Sequence, residues 1–425
     1  MQSKSVNSSR AAAIQILSRV LQKHQALEDV LDETLKGLDG RDRALARAIV
    51  STTLRHLGVI DALIDRMLER PLPEKIVDIR HALRIGIAQI LFLDIPPHAA
   101  VHDTVALIPE RSKYKGLVNA LLRRTDRQGA KLLSTLDAEK LNTPDWLWQA
   151  WQDHYGEDVT RRIATAHQME ATLDISVRDN PEKWAPLLAA DILPTGTLRR
   201  KSGGDIPQLP GFEEGEWWIQ DAAAALPARL FGDVRGKNIL DICAAPGGKT
   251  AQLASGGAHV IALDRSKGRL KRLQQNMDRL KLEVEVIVAE AEKYTPATAP
   301  DGILLDAPCS STGTLRRHPD VAYLKSPEDV TKLAALQSRL LDHAADMLKP
   351  GGMLVYSVCS LQASEGEEQI SAFLARHSDF ERLPVTAGEV GDVAELINPQ
   401  GDLRCLPFHL GGMDGFFAAR LRKIS

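Results

Sequence analysis

The chain has 425 residues, a charged fraction of 26% and a formal net charge of −3, which predicts two or three globular domains with no overall bias towards nucleic acid or an acidic partner. The leading Met1-Gln2-Ser3-Lys4-Ser5 lacks the apolar core of a signal peptide, and no run of eighteen apolar residues occurs, so a secretory signal and a transmembrane helix are disfavoured and a cytoplasmic protein is expected. The four cysteines, Cys243, Cys309, Cys359 and Cys405, form no CxxC pair, which argues against a metal site and, in a cytosolic chain, against disulfides.

From about Ser9 to Arg127 the apolar residues repeat with helical spacing, as in Ala13, Ile14, Leu17, Val20, Leu21 and again in Ile76, Ile79, Leu83, Ile87, Ile90, Leu91. Pro71, Pro73, Pro96 and Pro97 break the segments, so an all-α domain is expected over residues 1–137. Residues 1–130 carry 20 Lys and Arg against 15 Asp and Glu. The excess is densest at Arg111, Lys113, Lys115, Arg123, Arg124 and Arg127, a patch suited to RNA phosphates. A solvated helix face explains the same charge equally well. Arg41-Asp42-Arg43-Ala44-Leu45-Ala46-Arg47 and Leu117 to Arg124 resemble segments of the NusB-like helical RNA-binding domain, which moves the patch towards RNA.

Residues 138–225 read as a small α+β connector. Trp146, Trp148 and Trp151 share a short helix, Leu173 to Val177 alternates as a strand, and a helix follows at about Pro181–Ala190. Phe212, Trp217 and Trp218 are read as filling a core or domain seam in preference to stacking on bases. A helix is expected over Ala223–Phe231.

Over residues 226–425 strands near 238–242, 259–263, 283–288, 302–306, 352–358 and 415–421 alternate with helices near 249–254, 266–280, 327–348 and 364–376. That order predicts a Rossmann-like α/β sheet wound on both faces, with ligands at the carboxyl ends of its strands. The first strand runs into Cys243-Ala244-Ala245-Pro246-Gly247-Gly248-Lys249-Thr250, a Gly-rich turn opening a helix, where backbone N–H groups and the helix dipole meet a nucleotide-like ligand. Asp264, 23 residues after Asp241, is placed to bond a ribose hydroxyl, and Glu290 ends the third strand on the same edge. Asp306-Ala307-Pro308-Cys309-Ser310 and Val358-Cys359-Ser360 end two more strands, which sets two cysteines, 50 residues apart, at one ligand-binding edge. Buried filler cysteines have no reason to be so placed.

Three rival readings of the turn are weak. A phosphate loop needs a glycine where Cys243 stands. A dinucleotide site lacks its third glycine. A non-catalytic RNA-binding scaffold with a decayed α/β domain leaves Asp306, Cys309 and Cys359 together at one edge without a reason.

Cys243 to Lys249, Asp306 to Ser310, Arg316-Arg317-His318-Pro319-Asp320 and Val358-Cys359-Ser360 resemble the motifs of the RNA cytosine-C5 methyltransferases, and with the NusB-like domain the whole chain is similar to their RsmB/Sun branch. The resemblance implies S-adenosyl-L-methionine as cofactor, held by Cys243, Ala244, Ala245, Pro246, Gly247, Gly248, Lys249, Asp264, Glu290 and Asp306. It implies methylation of one cytosine of 16S ribosomal RNA, expected to be free or early in assembly; a monomer without metal or membrane partner is expected. A tRNA or another RNA is the alternative substrate, and a NusB-like assembly factor the alternative outside catalysis. By the same resemblance Cys359 attacks carbon 6 of the base, Asp306 bonds its N3 and N4 edge, Cys309 assists the release step and Lys249 orients substrate or Asp306. Arg316 and Arg317 are expected near the cleft, as RNA contacts or structural ion pairs. The sequence departs from the family at Ser357, at Glu365-Gly366, where an acid is followed by Asn in other members, and at Glu290, where Asp is usual.

Overall fold

The helical spacing of the first third does fold into helices. A computed structural model describes residues 8–200 and 203–424. The chain divides into two compact units, residues 1–169 with 315–325, and residues 170–314 with 326–425.

In the first unit, Ser9–Lys23 starts where the Ser8 side chain accepts the Ala11 N–H at 3.2 Å, and Gly40–Arg55 starts where Asp39 accepts the Asp42 N–H at 2.8 Å. Both side chains satisfy donors that a helix start leaves unpaired. The helices Leu57–Met67, Val77–Leu91, Pro97–Ala106 and Lys115–Leu133 follow. Their apolar faces build two clusters, one including Ile16, Leu17 and Ile49 and the other Ile60, Leu63, Ile87 and Leu122, each residue fully buried.

The break expected at residue 138 does not coincide with the boundary of the first unit. Asp145–Tyr155 and Glu157–His167 group with the first unit. Asn142 accepts the Val59 N–H at 3.0 Å and donates to Gln168 at 3.1 Å, and the fully buried Trp151 packs on the His167 ring at 5.4 Å. The rest of the expected connector belongs with the second unit. Its four-stranded sheet, in the order Ala190–Ile192, Leu198–Arg200, Leu173–Val177, Trp217–Ile219, is fixed by buried Asp174. That carboxylate accepts from Arg199 Nε and Nη2, both at 2.7 Å, and from the Ala222 N–H at 3.1 Å.

The helix expected over Ala223–Phe231 shrinks to Leu226–Arg229. Asp221 caps the Ala223 N–H at 2.8 Å instead, an Asx turn that competes with helix at this position.

The main sheet comprises β1 (Asn238–Ile242), β2 (His259–Asp264), β3 (Glu285–Val288), β4 (Gly302–Asp306), β5 (Met353–Val358), β6 (Phe380–Arg382), β7 (Leu403–Cys405) and β8 (Phe416–Lys423). Their order is β6-β8-β5-β4-β1-β2-β3, with β7 beside β8. The five strands from β5 to β3 run parallel, and β8 is antiparallel to β5. Helices α1 (Gly248–Ser255), α2 (Lys267–Leu280), α3 (Pro327–Met347) and α4 (Glu367–Arg376) connect them. Side-chain alternation splits the core: Ile239, Leu304 and Val355 enter one cluster, Leu240, Leu305, Leu354 and Tyr356 the other. Cys405 is fully buried in the first cluster and burial pushes its thiol up, as expected of a small core hydrophobe.

Candidate active site

Parallel pairing places the carboxyl ends of β1, β2, β4 and β5 side by side. In that register Asp306, the last residue of β4, stands opposite Ser357 of β5, and the Ser357 hydroxyl donates to Asp306 Oδ1 at 3.0 Å. Lys249, in the first turn of α1, donates to Asp306 Oδ2 at 2.8 Å and lies 4.8 Å over the Phe416 ring. Burial works against the Lys249 charge, but the Asp306 carboxylate outweighs it and holds the amine above its usual range.

The turn after β1 leaves the ordinary backbone regions at two positions. Cys243 and Gly247 have φ of 63° and 102°, the Ala244 N–H donates to Leu263 O of β2 at 3.0 Å, and the Ala245–Pro246 bond is cis. A side chain on Gly247 would meet Leu273 of α2 at 2.9 Å, so glycine lets the turn lie against that helix. Beneath it Asp241 accepts the Thr250 hydroxyl at 2.6 Å, while its other oxygen is buried with no hydrogen-bond partner. Burial raises the Asp241 carboxyl to about 7. Asp264 is buried and accepts the Ser266 N–H at 2.8 Å and Arg269 at 3.3 Å. Glu290 is exposed and pairs with Lys293 at 2.7 Å, which holds its carboxyl below the usual range. Acids at successive strand ends repel a phosphate and suit the hydroxyl and amino groups of a nucleoside carrying an amino-acid tail.

The loops after β4 and β5 bring the two expected cysteines together. Cys309 Sγ lies 3.4 Å from Cys359 Sγ, and the Ser311 hydroxyl lies 3.6 Å from Cys359 Sγ and 3.9 Å from Cys309 Sγ. The shared hydrogen bond separates the two thiols: it is the leading cause that lowers Cys359 and, with burial, raises Cys309. Lys249 adds to the lowering at Cys359 and Glu365 to the raising at Cys309. Of the two sulfurs, Cys359 is therefore the more acidic and Cys309 the less acidic. Gly313 seals the arrangement: its N–H donates to Cys359 O at 3.1 Å, and a Cβ there would fall 1.9 Å from the Gly415 carbonyl oxygen.

Arg316 and Arg317 are not in this cluster. Residues 315–325 leave the α/β fold and pack with the helices of the first unit, where the Leu27 N–H donates to Asp320 at 2.9 Å, Arg55 to Arg316 O at 2.9 Å and Tyr323 to Leu54 O at 3.0 Å. Arg316 is buried, only 3% exposed. A surface role in RNA contact does not fit a guanidinium so enclosed. Of the other cationic residues named from the sequence, Arg111, Lys113, Arg123 and Arg124 are exposed. Lys115 pairs with Glu110, and Arg124 donates to Gln128 and to Met67 O, each at 3.2 Å.

Sequence reasoning missed Ser311 and Phe416 and noted Ser357 only as a departure from the family, with no role; Ser311 lies beside Cys359, Ser357 donates to Asp306 and Phe416 lies under Lys249. Only the register of the sheet reveals Ser357, and only the antiparallel return of β8 brings Phe416 to Lys249. Trp217 and Phe212 fill a local core, 5.3 Å apart, with Trp217 donating to Pro210 O at 2.8 Å. A cavity of about 570 Å³, lined by residues including Asn238, His259, Glu285 and Tyr294, opens at the amino ends of β1 to β3, away from the cysteines. Among the described residues no helix is long and apolar enough to cross a membrane, and no group of three or more His, Cys, Asp or Glu is placed to hold a metal.

A family model described as 16S rRNA methyltransferase RsmB/F matches residues 230–422, and the NusB family model matches residues 7–127. A Cronobacter sakazakii protein named ribosomal RNA small subunit methyltransferase B is 35% identical over 99% of this chain and 99% of its own. A Vibrio vulnificus protein of the same name is 38% identical over 86% of this chain and 91% of its own. In fold, the crystal structure of PH0851 is similar over 98% of this chain and 99% of its own, with a TM-score of 0.74 at 23% identity.

Proposed function

Because the chain belongs to the 16S rRNA methyltransferase RsmB/F family, we propose that it methylates carbon 5 of one cytosine in 16S ribosomal RNA, acting as a monomer on RNA that is free or early in assembly. The observation that carries the cytosine reading is the pair of sulfurs 3.4 Å apart at neighbouring strand ends, beside the Lys249–Asp306 pair. S-adenosylmethionine is the methyl donor, and when bound it supplies a methyl group on a cationic sulfur. The turn Cys243–Gly248, with Lys249, Asp241, Asp264, Glu290 and Asp306, would hold it. The buried, unpartnered oxygen of Asp241 and the acidic row of strand ends fit that cation and its ribose.

Carbon 5 of cytosine is too weak a nucleophile unaided. The Cys359 thiolate adds to carbon 6, forming a C–S bond and moving electron density onto carbon 5 and N3. Asp306, held by Lys249 and Ser357, accepts from the N4 amino group and, in its acid form, gives its proton to N3 as charge develops there. After carbon 5 is methylated its hydrogen must leave as a proton to water or another base, since Cys309 in its thiol form cannot accept it. Its electron pair then reforms the ring double bond as the Cys359 C–S bond breaks. Cys309, hydrogen-bonded to Cys359, is placed to serve this release. The target base must be unstacked to reach the sheet edge, at a cost of a few kcal/mol. The exposed cations Arg111, Lys113, Arg123 and Arg124 supply phosphate contacts.

Bisulfite sequencing of total RNA with and without the gene tests the reading. Loss of protection at one 16S cytosine supports it. Loss at a tRNA cytosine moves the substrate, and no loss at any RNA overturns the reading.

A further inference from the structure

Glu365 lies in the single turn Ala363–Glu365 before α4 and is fully buried, yet it touches neither sulfur. Its carboxylate accepts four hydrogen bonds. Oε1 accepts the Ser310 N–H at 2.9 Å and Gln337 Nε2 at 3.0 Å. Oε2 accepts the hydroxyls of Ser310 and Ser360, both at 2.5 Å. Ser310 follows Cys309 and Ser360 follows Cys359, so one side chain grips the residue next to each thiol. The backbone on either side is braced to the same point. Gln337 also donates to Pro308 O at 2.8 Å, just before Cys309, and Tyr356 of β5 donates to the Glu365 carbonyl at 2.6 Å. Thr312 Oγ1 accepts the Leu361 N–H at 3.1 Å, a second tie between the two loops.

A buried carboxylate is costly unless its oxygens are satisfied, and all four donors here are neutral groups. Two come from the loop of Cys309 and one from the loop of Cys359. An apolar residue of similar size fills this space without that cost, but it cannot tie the loops. We propose that Glu365 is a positioning residue for the thiol pair: its carboxylate locks the loop carrying Cys309 to the loop carrying Cys359, and so fixes the sulfurs in hydrogen-bonding distance. The inference rests on the reading that both cysteines act in the reaction. The lock also has an electrostatic side. The Cys309 thiol is raised chiefly by its bond to Cys359 and by burial, and the Glu365 charge reinforces this, which widens the difference in acidity between the two sulfurs.

The test uses the full chain and three variants, Glu365→Ala, Glu365→Gln and Cys359→Ala, each checked for fold by its melting curve. Two readouts are taken: kcat and KM for S-adenosylmethionine, and the pH at which Cys359 becomes half-reactive towards iodoacetamide in the RNA-free protein. For Glu365→Ala we expect kcat to fall on the order of 100-fold, KM to change less than about twofold, and the half-reactive pH to rise by about one as Cys359 loses its partner. Glu365→Gln keeps one acceptor oxygen and replaces the other, so it should restore kcat to roughly a tenth of wild type, with the half-reactive pH in between. If Glu365→Ala does not fold, the Gln variant carries the test alone. A folded variant with kcat within about threefold of wild type overturns the proposal. So does a kcat loss with an unchanged Cys359 profile, which marks a merely structural role. Full activity in Cys359→Ala refutes the cysteine mechanism itself, whereas the iodoacetamide profile still reports whether Glu365 sets the thiol pair.

Discussion

Lys249 Nζ and Asp306 Oδ2 lie 2.8 Å apart, joining the first turn of α1 to the end of β4 across the parallel pair β1–β4. In the proposed mechanism the bond ties the turn that would hold the cofactor to the residue that would meet the base. Lys249→Met keeps most of the volume and removes the cation, leaving Asp306 with Ser357 alone and Cys359 without its nearby positive charge. The expected result is a kcat lower by about 100-fold, the usual scale for losing one preorganised electrostatic partner. Steady-state kinetics check it, and a rate within a few-fold of wild type removes Lys249 from the chemistry.

The two cysteines should fail differently when replaced. Cys359→Ala is expected to abolish both methyl transfer and any covalent RNA adduct, because it removes the attacking sulfur. Cys309→Ala leaves the attacking sulfur and removes the group beside it, so an adduct that survives SDS should accumulate. Gel shift of labelled RNA after denaturation reads both. Absence of an adduct in Cys309→Ala takes Cys309 out of the release step.

How much of this is legible in the sequence depends on the range of the interaction. The strands β1, β2, β4 and β5 are readable because short apolar runs bounded by Gly, Pro and Asp are local signals, and strand order alone assigns the cysteines to one edge. Glu365 is visible in the sequence only as half of a family pair. Its four donors come from three separate segments, and no local pattern reports such a convergence. Arg316, which the sequence leaves open between RNA contact and a structural ion pair, is undecided for the opposite reason. It follows the Cys309 loop closely in sequence, but residues 315–325 pack with the helices, where Asp320 and Tyr323 find partners. Proximity in sequence to a reactive loop is a poor guide once the chain leaves the sheet.

Gly313 is the tightest point of the Cys309 loop. A methyl group there would sit 1.9 Å from the Gly415 carbonyl oxygen, so Gly313→Ala must push the loop away from the start of β8. The N–H that donates to Cys359 O at 3.1 Å moves with it. A stability loss of roughly 2 kcal/mol or more is expected, together with a lower kcat. Urea unfolding and steady-state kinetics on the same preparation check both, and wild-type values in either refute this role for Gly313.

The proposed RNA binding by the helical unit can be tested apart from the chemistry. Arg111 and Lys113 are exposed, so Arg111→Glu with Lys113→Glu should leave the fold intact. Loss of two phosphate contacts is expected to weaken RNA binding about tenfold or more at moderate salt and to make the slope of log affinity against log salt shallower by roughly two. The affinity for S-adenosylmethionine should be unchanged. Fluorescence anisotropy with 16S fragments over a salt series measures it, and an unaltered slope returns the patch to an ordinary solvated helix face.

Asp241 gives the cofactor-free protein a distinct pH dependence. Burial raises its carboxyl from 3.8 to about 7, so between those values the folded chain holds a proton that the unfolded chain has released. The stability this carboxyl contributes is complete below about pH 4 and is lost as pH rises through 7. The loss is bounded at roughly 4 kcal/mol, because each tenfold change in proton affinity is worth about 1.4 kcal/mol. Asp241→Asn is neutral at every pH and keeps an acceptor for the Thr250 hydroxyl. Its melting temperature should match that of the wild type near pH 4 and exceed it at pH 8, with the gap opening between the two. Melting curves across that range decide the matter. A difference that stays constant from pH 4 to pH 8 means that Asp241 ionises in the folded chain as readily as in the unfolded one and that its unpartnered oxygen is satisfied by water.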